Sequence, residues 1–204
     1  GSISSGLIWM DAEGKVIMEL NRANGISNNT ILSFFEDQNK NLWLGLDNGI
    51  DCVNIKSPFL EYNDEIGKIG AVYDSARKGS YFYLGTNHGL YYRVADRSSD
   101  FKLISGTEGQ VWSLYDFKGD LFCGHDLGTF YVEGAKATKI SSIRGTWTFK
   151  QHPMSNDFLL QGNYNGIHVL QKSNNKWGYK NKLDGFNISS RYFEMINDTT
   201  LLVG

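Results

Sequence analysis

Residues 43–50 read WLGLDNGI, and the same arrangement recurs three more times along the chain. In each copy a glycine closely follows an aromatic or apolar residue, and a second glycine stands four positions later. The copies are WLGLDNGI (43–50), YLGTNHGL (83–90), FCGHDLGT (122–129) and LQGNYNGI (160–167). Their first glycines are about 40 residues apart, a period that indicates a tandem array of one supersecondary unit.

The composition favours short strands joined by tight turns. The 204 residues include 23 glycines and only 2 prolines, and 14% of them are aromatic. Glycine serves tight turns, and aromatic residues are enriched in strands. With 41% hydrophobic residues the chain can bury a sizeable core. We therefore expect an all-β globular protein in which no helix exceeds about two turns.

Each repeat divides into four predicted strands. An apolar run precedes the glycine motif, the motif ends a second strand and begins a third, and a weaker run follows. The first runs are ILSFF (31–35), IGAVY (69–73), VWSLY (111–115), TWTF (146–149) and RYFEMI (191–196), and the last are FLEYN (59–63), FKLIS (101–105), ATKIS (137–141) and WGYKN (177–181). Four short strands in about 40 residues are typical of one blade of a β-propeller.

The glycines of the motif, such as Gly45 and Gly49, are predicted to be structural. A tight connection between the second and third strands needs a positive φ angle or a close backbone approach, and glycine allows both. The glycines do not open a helix and no lysine follows them, so a phosphate-binding loop is not indicated.

We predict that residues 1–204 form a single β-propeller segment of about five four-stranded repeats. The predicted repeat bounds are about 29–68, 69–108, 109–144 and 145–188, with partial repeats at 1–28 and 189–204. Pairing of the terminal strands would close a five-bladed ring without open edges. The alternative is a fragment cut from a larger array.

The segment NNTILSFFEDQNKNLWLGLDNGIDCVN (28–54) resembles the two-component-regulator propeller repeat, as does YLGTNHGLYYR (83–93). The copies with Cys123 and Gln161 before the glycine depart from the pattern. The resemblance implies a periplasmic sensor region of a Bacteroides-type hybrid two-component system, which responds to breakdown products of polysaccharides. Propellers of this family typically have seven blades, so a fragment of a larger array agrees with the resemblance at least as well as a closed five-bladed ring.

The resemblance also implies partners. An oligosaccharide is the expected ligand, and the remaining blades and the signalling domains of a longer protein, a histidine kinase among them, are the expected neighbours. The sequence does not decide whether the chain forms a homodimer. The alternative functions are a propeller scaffold for protein–protein interaction and a glycoside-hydrolase-like propeller.

Polar turns mark the candidate ligand face. The turn between strands two and three should lie on the same face as the connection that enters the next first strand, and loops on a rigid scaffold carry function. Amides, hydroxyls and aromatic rings suit a hydroxyl-rich ligand. The candidate ligand-binding residues are Asn87, His88, Trp112, His125, Asp126, Trp147, Asn163, Tyr164 and Arg191. An alternative explanation of the polar residues is that Asn, Asp and His favour turns for backbone reasons. The alternative for the two tryptophans is packing between successive repeats.

Other functions find little support. A formal charge of −2 without a basic run indicates neither nucleic acid nor an anionic membrane as partner, and the chain lacks a stretch long and apolar enough for membrane insertion. His88 and His125 are isolated, so we expect no metal site and no cofactor. A glycosidase needs a matched carboxylate pair, and none is evident, so we predict that this segment is not an enzyme. Cys52 and Cys123 lie in apolar runs and are predicted to be buried free thiols.

Overall fold

The computed structural model describes residues 1–57, 59, 62, 64, 67–95, 100–153 and 155–204. Within these ranges every regular element is a strand, and no residue is helical. The all-β prediction is therefore confirmed. The chain divides into two compact units, Gly1–Lys68 and Ile69–Gly204, which we call unit 1 and unit 2.

The described residues of unit 1 form two antiparallel sheets. Strand β1 (Leu7–Met10) pairs with β2 (Val16–Leu20), and β3 (Ile31–Glu36), β4 (Leu42–Leu46) and β5 (Gly49–Val53) form a three-stranded sheet in that order. The core of unit 1 consists of Leu7, Leu20, Ile26, Ile31, Leu44 and Leu46. The strand predicted at FLEYN falls mostly outside the described residues.

In the described part of unit 2 the strands form three four-stranded antiparallel sheets and one two-stranded sheet, each in chain order. The first sheet is β6 (Val72–Lys78), β7 (Tyr81–Thr86), β8 (Leu90–Val94) and β9 (Lys102–Leu103). The second is β10 (Val111–Phe117), β11 (Asp120–His125), β12 (Gly128–Glu133) and β13 (Lys136–Ser141). The third is β14 (Thr148–Gln151), β15 (Phe158–Asn163), β16 (Gly166–Ser173) and β17 (Lys176–Lys182), and the last is β18 (Phe193–Asn197) with β19 (Thr200–Val203). The predicted four-stranded repeat is thus confirmed for three copies.

The sheets of unit 2 pack face to face, and a separate apolar cluster fills each interface. Tyr83, Val111 and Leu121 are fully buried between the first and second sheets. Phe122 and Phe149 are buried between the second and third, where the Phe122 ring meets Trp177 edge to face at 5.1 Å. Central strands such as β11 are therefore covered on both faces, which explains their nearly continuous apolar sequence.

Asp120 links the second and third sheets of unit 2. Its carboxylate accepts hydrogen bonds from the Tyr131 hydroxyl at 2.7 Å, the Trp177 indole at 2.8 Å and the Lys172 ammonium at 2.8 Å. Partial burial would raise the pKa of Asp120, but these three donors outweigh it and hold the pKa below its ordinary value. The charged form of Asp120 thus joins strands β11, β12, β16 and β17.

Glycine is required at the two positions of the repeated motif for different structural reasons. A Cβ on Gly124 would stand 2.5 Å from the carbonyl oxygen of Thr146, so the incoming backbone of the next sheet requires glycine there. Gly128 has φ +132°, a conformation that side chains disfavour. The prediction that these glycines are structural is confirmed.

The prediction for the cysteines is right for one residue and wrong for the other. Cys123 is buried between the first and second sheets of unit 2, whereas Cys52 is exposed; both are free. Cys52 pairs with Trp43 across β4 and β5, and Trp43 is itself 43% exposed. The apolar run around Cys52 belongs to a sheet face that unit 1 does not cover.

Candidate functional site

Aromatic side chains stand at irregular positions of the first strands in unit 2. In β10 the register with β11 shifts between Val111 and Ser113, which leaves Trp112 as an extra residue. In β6 the same shift leaves Tyr73 unpaired. Trp147 has the same repeat position, directly before β14. A β-bulge redirects a side chain, so the repeat places one aromatic ring at this point in each of the three four-stranded sheets.

These residues form a row that we call the ladder, composed of Tyr73, Trp112, Trp147 and Arg191. The ring centroids of Tyr73 and Trp112 are 5.7 Å apart with their planes at 77°. Those of Trp112 and Trp147 are 4.3 Å apart at 39°, and the Arg191 guanidinium carbon lies 5.0 Å from the Trp147 ring. The ladder therefore connects the beginnings of the four sheets of unit 2 through aromatic and cation–π contacts.

Trp147 is the centre of the ladder. Besides Trp112 and Arg191, the ring of Tyr164 meets it at 5.3 Å and 64°. Its indole N–H donates to the Ser189 hydroxyl at 3.2 Å. With neighbours on several sides, Trp147 is suited to support the residues around it, while Arg191 and Tyr164 reach the surface.

Three polar residues that we call the polar border flank the ladder: Asp126, Arg144 and Tyr164. Arg144 donates to one carboxylate oxygen of Asp126 at 2.5 Å, and the Tyr164 hydroxyl donates to the other at 2.8 Å. Arg144 has 65% of its side chain exposed and Asp126 has 26%. The border thus presents donors and acceptors beside an aromatic surface.

Within the polar border, Asp126 is ionised at neutral pH, whereas Tyr164 is not. Partial burial would raise the pKa of Asp126, but the hydrogen bonds from Arg144 and Tyr164 outweigh it, and the pKa lies below its ordinary value. Burial and the bond to Asp126 together raise the pKa of Tyr164. Asp126 is therefore a stable acceptor, and Tyr164 keeps its proton.

The indole nitrogen of Trp112 is a buried donor without a hydrogen-bond partner among the described residues. This nitrogen lies near Tyr164 and acts to lower the Tyr164 pKa, against the larger effect of burial. It nevertheless forms no hydrogen bond of good geometry. Buried N–H groups are nearly always paired. A water or a ligand oxygen would satisfy this one.

His125, predicted to face the ligand, is fully buried instead. Its Nδ1 accepts from the backbone N–H of Leu127 at 2.9 Å, and its Nε2 is 3.2 Å from the carbonyl oxygen of Thr107. Burial lowers the pKa of His125, so the ring is neutral, with the proton on Nε2 directed to Thr107. Both ring nitrogens are used to hold two turns together.

Asn163 and Asn87 also serve the backbone. Asn163 is fully buried, and its amide donates to the carbonyl oxygens of Ile143 and Arg144 and to the Thr146 hydroxyl. The Asn87 side chain accepts from the N–H of Ala71 at 2.7 Å. These residues fix the loop that enters the first strand of their own repeat, as the backbone explanation of polar turns predicts.

The structure therefore groups part of the predicted site. Trp112, Asp126, Trp147, Tyr164 and Arg191 come together, whereas His88 is exposed beside Gly70. The sequence reasoning did not single out Tyr73 or the pairing of Arg144. The signal for Tyr73 was its position directly after the first apolar residue of the strand, which Trp112 shares.

Metal binding and membrane insertion are two further functions on which the described part of the chain bears. No group of three or more His, Cys, Asp or Glu side chains there has a geometry that could hold a metal ion. The same residues include no helix with the length and apolar character needed to cross a membrane.

Comparisons with known proteins identify the fold. No protein-family model and no curated protein sequence matches the chain. Among solved structures, the extracellular domain of the hybrid two-component system BT3049 from Bacteroides thetaiotaomicron matches 94% of this chain and 28% of its own, with a TM-score of 0.51 and 18% identity. That of the hybrid system BT4673 from the same organism matches 96% of this chain and 30% of its own, with TM-score 0.51 and 18% identity.

At this identity the likeness is one of fold, and the chain spans less than a third of either neighbour. Both neighbours are extracellular domains of hybrid two-component systems. An extracellular domain of such a system is also what the resemblance of the repeats implies.

Proposed function

We propose that this chain is part of a β-propeller in the extracytoplasmic sensor region of a hybrid two-component regulator, and that it binds an oligosaccharide derived from a polysaccharide. Binding would shift the population of sensor conformations and so control a downstream kinase. In this proposal the segment carries out no chemistry itself.

The repeat architecture supports the propeller part of the proposal. The four-stranded sheets follow one another in chain order and pack face to face, as blades do. The two structural neighbours are extracellular domains of hybrid two-component systems, and this supports the signalling part.

The observation that carries the ligand proposal is the contact between the ladder and the polar border. Aromatic faces cover the apolar carbons of a sugar ring, while carboxylate and guanidinium groups exchange hydrogen bonds with its hydroxyls. Trp112, with its unpaired indole N–H, and Tyr164, which is 38% exposed, stand where the two kinds of surface meet.

The test is calorimetric titration of the protein with oligosaccharides of common polysaccharides. For a bound sugar we expect Trp112→Ala to weaken affinity by about 1 to 3 kcal/mol, as for an interface anchor. Trp43→Ala removes an indole of the same size from unit 1 and should leave affinity unchanged.

Thermal unfolding of each variant without sugar shows whether the substitution affects folding. Unfolding with sugar then reports binding, because a ligand that prefers the folded state raises the stability of the protein. Absence of binding by any oligosaccharide would contradict the proposal. It would leave a scaffold for a protein partner as the better reading.

A further inference from the structure

Arg191 is an exposed cation held against aromatic rings. Its guanidinium carbon lies 5.0 Å from the ring centroid of Trp147 and 5.4 Å from that of Tyr192. We propose that Arg191 binds an anionic group of the ligand, so that the oligosaccharide recognised at the ladder carries a carboxylate or a sulfate ester. This inference rests on the proposed function, because it specifies the ligand of the same site.

The other cations around the ladder already have acidic partners. Arg144 forms an ion pair with Asp126, and Lys150 forms one with Glu194. Across the described ranges of the chain, the contacts of Arg191 are aromatic and include no carboxylate. Arg191 is therefore the cation at this site whose charge an incoming anion can pair with.

The geometry of the guanidinium group suits this role. A guanidinium that packs over an aromatic ring keeps the N–H donors in its own plane for other partners, and these donors match the two oxygens of a carboxylate or sulfate. Arg191 also lines an open groove with Thr148, Tyr192 and the ion-paired Lys150 and Glu194, through which a ligand can reach it.

The support beneath Arg191 is already in place. Trp147 is held by its contact with Trp112 and by the hydrogen bond to Ser189. A cation that is held before binding loses less conformational freedom when it binds, and this favours affinity. The ladder thus positions the charge as well as supplying apolar surface.

The experiment compares the affinities of three groups of oligosaccharides for the protein by calorimetry. The first group is uronate oligosaccharides from pectin, alginate and hyaluronan, each beside its carboxyl-reduced form. The second is sulfated galactan oligosaccharides, and the third is neutral oligosaccharides. Loss of binding on carboxyl reduction identifies a carboxylate as the recognised group, and binding of the sulfated sugars alone identifies a sulfate ester.

We expect an anionic oligosaccharide to bind at least about tenfold more tightly than its neutral counterpart, with affinity falling as salt rises. Arg191→Gln should remove this preference, and Arg191→Lys should restore only part of it, because lysine keeps the charge but not the planar fork. Lys136→Gln is the control: it removes one exposed positive charge at the β12–β13 turn, at the opposite end of the sheet from the Asp126 turn.

The outcomes separate the two proposals. A neutral oligosaccharide that binds the native protein as tightly as its anionic counterpart, or an anionic preference that Arg191→Gln retains, would overturn the anion proposal and leave the proposed function standing. Binding of none of the sugars would overturn both. Thermal unfolding of Arg191→Gln and Arg191→Lys verifies that each variant is folded before its affinity is measured.

Discussion

The indole rings of Trp112 and Trp147 lie 4.3 Å apart between centroids, although they belong to successive repeats. The contact arises because each ring stands at the same repeat position, and the sheets that carry them pack face to face. The repetition of one bulge in the sequence thereby becomes a continuous aromatic surface in space. The two indoles differ in their surroundings, and this difference leads to separate predictions.

Trp147→Ala is expected to reduce stability more than Trp112→Ala. Trp147 contacts Trp112, Tyr164 and Arg191 and also hydrogen-bonds Ser189, so its removal opens the centre of the ladder. We expect a loss of about 2 kcal/mol or more in the free energy of unfolding, measured by urea titration. An equal loss for both variants would show that Trp147 is not the central support.

Gly124→Ala is expected to destabilise the protein by about 1 to 3 kcal/mol or more, because its Cβ would meet the Thr146 carbonyl oxygen at 2.5 Å. The matched control is Gly178→Ala. Gly178 lies in β17 with open space around its Cβ, so alanine there should be neutral or stabilising by up to about 1 kcal/mol. Similar unfolding midpoints for the two variants would contradict the close approach of the sheets.

Stability is expected to fall as the pH decreases below about 6.5. Burial, with a smaller effect of Lys182, lowers the pKa of His168 from 6.5 to about 4, and burial also lowers that of His125. The unfolded chain therefore binds these protons more readily. The stabilisation is complete above the unfolded pKa and declines as the pH falls from 6.5 towards 4.

Urea unfolding between pH 7.5 and pH 4 measures this dependence. Replacement of His168 by glutamine should reduce the slope of the unfolding free energy against pH between pH 6.5 and pH 4. An unchanged slope in that variant would show that His168 is protonated normally in the folded protein.

Asp120→Asn is expected to cost about 1 to 3 kcal/mol of unfolding free energy. The asparagine amide would direct an N–H group towards one of the three donors from which Asp120 now accepts a hydrogen bond. The substitution also removes the ion pair with Lys172. Glu36→Gln is the control, since Glu36 and Lys40 form an exposed pair in unit 1 and such pairs contribute little to stability. A smaller loss for Asp120→Asn than for Glu36→Gln would contradict the linking role.

Cys52 is expected to react with a thiol reagent in the native protein, whereas Cys123 reacts only after unfolding. Cys52 is exposed, while Cys123 is buried and its burial raises the pKa of the thiol. Counting labelled thiols by mass spectrometry with and without denaturant checks this. Rapid labelling of both under native conditions would mean that the interface around Cys123 opens readily.

The bounds of the strands show where sequence reasoning was sufficient and where it was not. The glycine motif correctly placed the turns between the second and third strands of every repeat that contains both. The first strand of the 69–108 repeat was expected at 69–73 but begins at Val72, because Gly70 takes a positive φ of 75° and Ala71 is held by the turn at Asn87. An apolar run alone does not distinguish a strand from the loop that enters it.

The candidate site shows the same division. Trp112 and Trp147 were visible as candidates because an indole is conspicuous at the start of a strand, whereas Tyr73 at the equivalent position was not singled out. The sequence did not reveal that His125 and Asn163 point inward. A polar turn residue gives the same sequence signal whether it binds a ligand or its own backbone. The partner of Asp126 was equally hidden, because Arg144 reaches it from another segment of the chain.

The sequence by itself determined the all-β class, the four-stranded repeat and the positions that require glycine, because these depend on local periodicity and on backbone conformation. The tertiary structure alone decided which faces are covered, which polar side chains are satisfied internally and which residues meet at the ladder. Those properties depend on contacts between segments distant in the chain. The exposure of Cys52 and the burial of His125 therefore follow from packing between sheets, which the alternation along a single strand does not encode.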